Sequence, residues 1–176
     1  MMKILNILII WKGKDYVRVY AENSFKNPQR CFNYSLYFFE FKCKFERNEG
    51  KVDMCIGLKI CNSYKDIRYS AKDAEIRDEK CKKFKPPTSF NDNDIFGCGL
   101  VYPPTNKLNE EFPYVFFTQN ERQIGKGVLL KEDFDSSFKP LVFLHCCSIE
   151  ANFGNNLGSK PFNYDISNHS ILKEFY

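Results

Sequence analysis

Histidine and tryptophan are nearly absent from this chain of 176 residues, which holds two histidines, His145 and His169, and one tryptophan, Trp11. So few imidazoles leave little from which to build a zinc-hydrolase centre. No Cys-x-x-Cys pair occurs among the eight cysteines, which removes the usual zinc-knuckle and dithiol redox signatures. Phosphate-cradling glycine patterns are missing too, because Gly125-Lys126-Gly127 has neither Walker spacing nor a helix pattern after it. No stretch approaches the ~18 unbroken apolar residues of a membrane span. Helical periodicity is poor, and the best candidate, 70–83, is mostly charged. A strong charge of one sign is also lacking: 26 basic and 22 acidic residues give +4 and are mixed along the chain. The densest basic run, Lys80, Lys82, Lys83 and Lys85, reads as a solvated loop and not as a phosphate-tracking patch.

Little chemistry is left to assign. His145, Cys146 and Cys147 adjoin, and a Cys–His pair can be a nucleophile. In a strand, His145 and Cys147 would share a face while Cys146 points away. A working thiolate also needs an electropositive, partly exposed site and an oxyanion cradle, commonly at a helix N-terminus, and no helix pattern follows. Strand-end packing is the expectation, with a cysteine hydrolase as the enzymatic alternative. The carboxylates Glu110, Glu111, Glu132, Asp133 and Asp135 read as solvated turns. No catalytic residue, cofactor or metal ligand is assigned.

What the chain has in quantity is aromatic residues, at 16%, with 18 phenylalanines. Aromatic and β-branched side chains suit half-buried pleated surfaces. Period-two alternation recurs: Tyr37, Phe39, Phe41, Cys43 and Phe45 oppose Phe38, Glu40, Lys42 and Lys44. Val52, Met54, Ile56 and Leu58 oppose Asp53, Cys55 and Gly57, and Ile149, Ala151 and Phe153 oppose Ser148, Glu150 and Asn152. Val17 and Val19 alternate with Tyr16, Arg18 and Tyr20, while 141–144 is a continuous apolar strand. One-sided alternation predicts antiparallel sheets that cover each other on one face and meet water on the other. The fold class is therefore all-β, an antiparallel sandwich of two packed sheets with long polar loops.

The cysteines are expected to be reduced, because a domain of this size holds a core without bridges and several lie in apolar strand-like runs. The start of the chain, a lysine followed by an apolar stretch from Ile4 to Trp11, fits a buried first strand. A secretion signal is the alternative, but Trp11-Lys12-Gly13-Lys14 replaces the small-residue cleavage site. Sequons at Asn33 and Asn168 decide nothing about compartment. Residues 70–83 read as a long polar connection with one short strand, closed by Pro86-Pro87. Residues 102–113, with three prolines, read as a second long exposed loop.

Five pieces, in order, resemble a SPRY domain of the Ran-binding-protein-M-like subgroup. They are Tyr37-Phe38-Phe39-Glu40, Ile56-Gly57-Leu58, Gly97-Cys98-Gly99, Val115-Phe116-Phe117-Thr118-Gln119-Asn120, and Asn152-Phe153-Gly154 with Pro161-Phe162-Asn163-Tyr164-Asp165-Ile166. The chain departs from the family where Glu121 replaces a hairpin glycine and where no tryptophan precedes Ile56. Glu121 predicts a looser turn or one of another type. The resemblance divides the chain into N-terminal strands at 1–33, a domain core at 34–166 and a C-terminal tail at 167–176. Phe153, Phe162 and Tyr164 are expected to plug one end of the sandwich.

The resemblance implies a non-enzymatic interaction module that holds a peptide or loop of a partner protein on its inter-strand loops, as an adaptor or a ubiquitin-pathway scaffold. The alternatives it implies are a secreted effector that competes for host partners and an RNA-associated module. Nucleic acid is not the expected partner, no membrane is, and a cytoplasmic monomer is expected, with secretion or the nucleus as other destinations. Tyr and Arg dominate binding hot spots. Tyr64, Arg68 and Tyr69 in one connection, with Tyr102 and Tyr114 bracketing another, are the candidate partner-binding residues.

Overall fold

A computed structural model describes residues 16–46, 52–105, 111–132 and 136–176, together with the backbone of 8–10. The strands among the described residues are β1 Leu8–Ile10, β2 Val17–Tyr20, β3 Ser35–Phe45, β4 Asp53–Ile60, β5 Asp66–Ser70 and β6 Glu75–Arg77, followed by β7 Lys83–Phe84, β8 Ile95–Tyr102, β9 Tyr114–Gln119, β10 Arg122–Leu129, β11 Phe138–His145 and β12 Cys147–Asn152. Sheet I has the order β1-β12-β3-β8-β9-β10 and sheet II the order β2-β11-β4-β5-β6-β7, and neighbouring strands run antiparallel. The expected all-β sandwich is therefore the fold. The described part of the expected first strand is β1, paired with β12. Residues 4–7 and Trp11, like Glu110, Asp133 and Asp135, lie outside the described residues.

The alternating positions close the core. Phe39, Phe41 and Cys43 of β3 face Met54, Ile56 and Leu58 of β4, all buried. Phe96, Cys98 and Leu100 of β8, Val115 and Phe117 of β9, and Val142 and Leu144 of β11 fill the rest. A period of two means that each inward residue fixes its neighbours outward. The 70–83 segment holds two short strands, β6 and β7, where one was expected. All eight thiols are free.

The outer face of sheet I meets water as one-sided alternation predicts at Lys42, Lys44 and Glu150, but not across β8 and β9. Phe38, Val101, Tyr114 and Phe116 point outward from it and are buried under Phe162, Tyr164, Ile166, Leu172 and Phe175. The segment from Pro161 onward forms a third layer. Phe162 stands edge-on to Phe38 at 4.9 Å, and Tyr164 lies 5.6 Å from the same ring. Phe153 instead packs on Phe39 and Phe41. The expected three-ring plug is thus split between the core and this outer layer. Gly99 makes room for it, because a Cβ there would sit 2.1 Å from the Phe116 ring.

Polar groups tie the third layer down. Glu40, buried on β3, accepts hydrogen bonds from the backbone N–H groups of Asn163 and Tyr164, both at 2.8 Å. His169 stacks on Phe116 at 4.1 Å, with Nδ1 2.9 Å from the Tyr164 hydroxyl and Nε2 3.1 Å from that of Tyr114. The last residues run beside β10: Tyr176 donates its N–H to the Gly127 carbonyl at 3.0 Å, and Phe175 bridges Gly127 in parallel.

The β9–β10 hairpin is tight, with Gln119 paired to Arg122 across two turn residues. Asn120 takes the left-handed conformation (φ 55°) and Glu121 does not, so the turn is of another type without being looser. Asn tolerates that conformation far better than Glu would.

Candidate functional site

The five residues singled out by type fall in unlike places. Tyr64 is fully exposed in the two-stranded β4–β5 connection, with the Lys59 ammonium 5.8 Å from its ring. Arg68 lies within β5 and points out from sheet II. Tyr69 points the other way and is wholly buried, its hydroxyl 2.6 Å from Thr88 Oγ1 and its ring against Phe96 and Phe117. Tyr102 closes β8 at 2% exposure, 6.1 Å from Tyr37. Tyr114 opens β9 at 3% exposure, and its hydroxyl accepts from the Leu172 N–H at 3.2 Å. Burial pushes the Tyr114 hydroxyl up to about 12. The loop placement of Arg68, Tyr69, Tyr102 and Tyr114 is therefore corrected to strands, and three of the tyrosines offer no surface. The signal was present: Ile67 and Tyr69 alternate with Asp66, Arg68 and Ser70, which is a strand pattern.

Arg68 belongs to an open face that the register assembles. Arg18 of β2 lies opposite Phe143 of β11, Phe143 opposite Cys55 of β4, Cys55 opposite Ser70 of β5, and Ser70 opposite Glu75 of β6. Gly57, Arg68 and Arg77 make the next row, and His145 with Asp53 the row on the other side. Gly57 has no room for a side chain, since a Cβ would lie 2.1 Å from the Ile67 carbonyl oxygen. The rows enclose a shallow cavity of about 240 Å³, lined also by Tyr16 and Asp73.

Two guanidinium groups flank one ring here. Arg18 lies 4.7 Å and Arg68 5.0 Å from the Phe143 centroid. Arg68 gives one N–H to Asp66 at 3.1 Å, and Arg77 gives one to Glu75 at 3.4 Å. Among the described residues, Asp53 Oδ1 and Arg77 Nε are buried with no hydrogen-bond partner. Burial raises the Asp53 carboxyl above its ordinary range, against a hydrogen bond from the Tyr16 hydroxyl at 3.3 Å. Burial likewise pushes the Cys55 thiol up to about 12. A thiol held neutral is a poor nucleophile.

A larger cleft, about 610 Å³, lies between 87–91 and the β9–β10 hairpin. Several of its polar groups are spent internally on Asp94. That carboxylate accepts from the Asn91 N–H at 2.8 Å, from Gln119 Nε2 at 2.7 Å and from Asn120 Nδ2 at 3.0 Å. These bonds fix a hairpin.

The His145-Cys146-Cys147 triplet is not one strand. Cys146 (φ 54°) turns the corner between β11 and β12. His145 stacks on Tyr16 at 4.5 Å, and Cys146 Sγ lies 3.9 Å from His145 Nε2. Cys147 is buried and donates to the Asp53 carbonyl at 3.4 Å. A hydrogen bond with Cys43 draws the Cys147 thiol down against burial, while Cys147 and burial drive the Cys43 thiol far up. Both sulfurs are buried in the core.

Among the described residues, no group of three or more His, Cys, Asp or Glu side chains could hold a metal ion. Among them too, no helix is long and apolar enough to cross a membrane. No family model matches the sequence, and no curated protein does. Solved structures do match. A human SPRY domain superposes with a TM-score of 0.56 at 15% identity, covering 84% of this chain and 95% of that one. The SPRY domain of human HERC1 gives 0.55 at 14% identity, covering 84% and 93%. The chain has the fold of a SPRY domain.

Proposed function

We propose that this chain is a non-enzymatic protein-interaction module that holds a peptide or loop of a partner protein on the outer face of sheet II, around Arg18, Arg68 and Phe143. Tyr64 borders that face through Lys59, which follows Asp53, Cys55 and Gly57 along the same side of β4. The observation that carries this reading is the pair of arginines stacked on one ring on the outer side of sheet II. Arg on an aromatic platform is a hot-spot composition. The SPRY-type fold and the resemblance to the Ran-binding-protein-M-like subgroup favour recognition over catalysis, and an adaptor role fits both.

The test is affinity capture with the wild-type chain beside Arg18→Ala/Arg68→Ala and Tyr69→Phe variants, each checked by thermal unfolding. Partners recovered by the wild type and by Tyr69→Phe are expected to be lost from the double variant. Equal recovery by all three overturns the assignment of this face.

A further inference from the structure

The charges of this face select among partner segments. Among the described residues, the Arg18 guanidinium has only the Phe143 ring as its partner. Arg68 has one carboxylate, Asp66, for five N–H donors. Two cations held on one ring repel each other, and an anion seated between them relieves that repulsion. Guanidinium groups take carboxylates in a bidentate fork, and stacking on Phe143 holds the forks ready.

We infer, resting on the partner-binding reading above, that this face takes an acidic peptide segment: an Asp or Glu carboxylate of the partner sits between Arg18 and Arg68 over Phe143. The nearby carboxylates limit the anion's charge. Asp53, Asp73 and Glu75 line the cavity and Asp66 pairs with Arg68. A phosphate bearing nearly two charges meets more repulsion from them than a carboxylate does. A cavity of about 240 Å³ accepts a side chain. It falls below the ~300–1,000 Å³ usual for small-molecule and cofactor sites.

The experiment selects short random peptides displayed on phage against the full chain, then measures synthetic copies by fluorescence anisotropy. Each peptide is made with its acidic residue intact, changed to the matching amide, and changed to phosphoserine. Selected peptides are expected to share an Asp or Glu, and its amide is expected to bind ~10-fold more weakly, the effect of one lost charge-assisted contact. Arg18→Gln should bind the acid and amide forms alike, which a merely structural role for Arg18 would not produce. Failure to select any peptide, selection without acidic residues, or tighter binding of phosphoserine each overturns the inference. The two levels separate cleanly. Binding lost in Arg18→Gln and Arg68→Ala but indifferent to the acid sinks the carboxylate assignment alone. Binding unchanged in both variants sinks the partner-binding face as well.

Discussion

The two sheets present opposite solutions to the same problem, which is what to do with an outer face. Sheet I carries Phe38 and Phe116 outward and buries them under the chain's own segment from Pro161 onward. Sheet II carries Arg18, Asp53, Arg68 and Phe143 outward, and among the described residues it is the two arginines that lie over Phe143. Rings on one face made a third layer possible, while charge on the other made it unfavourable, because a covering segment would have to desolvate several ions. The difference separates a face committed to stability from the one proposed for recognition. Substitutions should therefore split by face, in unfolding free energy for sheet I and in binding for sheet II.

Phe116→Ala tests the covered face most severely. It should cost about 3–5 kcal/mol in urea unfolding, as truncation of a buried ring does. A cost below ~1 kcal/mol would mean that the third layer is only loosely held. Glu40→Ala leaves the Asn163 and Tyr164 N–H groups without their acceptor and should cost roughly 2–3 kcal/mol. Hydrogen exchange at those two amides should rise with it.

His169 sharpens the comparison through pH. Burial lowers its pKa below the ordinary value of 6.5, so the unfolded chain binds the proton first as pH falls. Stability from this group is full above ~6.5 and is lost as pH drops through the lower folded value. The unfolding midpoint should fall on acidification below that range, and His169→Phe should flatten that part of the profile.

On the open face the effects on stability are smaller. Arg18→Ala/Arg68→Ala removes two cation–π contacts worth ~0.5–1 kcal/mol each at exposed sites. The loss in unfolding free energy should be about 1–2 kcal/mol while partner binding disappears. Tyr64→Ala, at an exposed tip, should change stability by less than ~0.5 kcal/mol. A larger cost would show that the tip is part of the packing.

The sequence disclosed the layers better than their use. Phe39, Phe41 and Cys43 read as inward residues because alternation depends only on neighbours along one strand. The SPRY-type motifs around Gly97, Gly99 and Phe153 are likewise local, and they pointed to the observed fold. Phe38 and Phe116 gave no sign of facing outward into a third layer, since what covers them lies tens of residues later. Tyr69 reads as part of a long connection with Tyr64 and Arg68, although its period is that of a strand. The meeting of Arg18, Phe143 and Arg68 depends on the pairing of β2, β11, β4 and β5. No spacing within one segment encodes such a meeting.

The run of Phe175 and Tyr176 along Gly127 has a consequence for solubility. β10 borders sheet I, and a bare border strand is a template on which another chain can add. By occupying the Gly127 carbonyl, the final residues blunt that template. Deleting 171–176 is expected to increase self-association, visible as a concentration-dependent rise in light scattering.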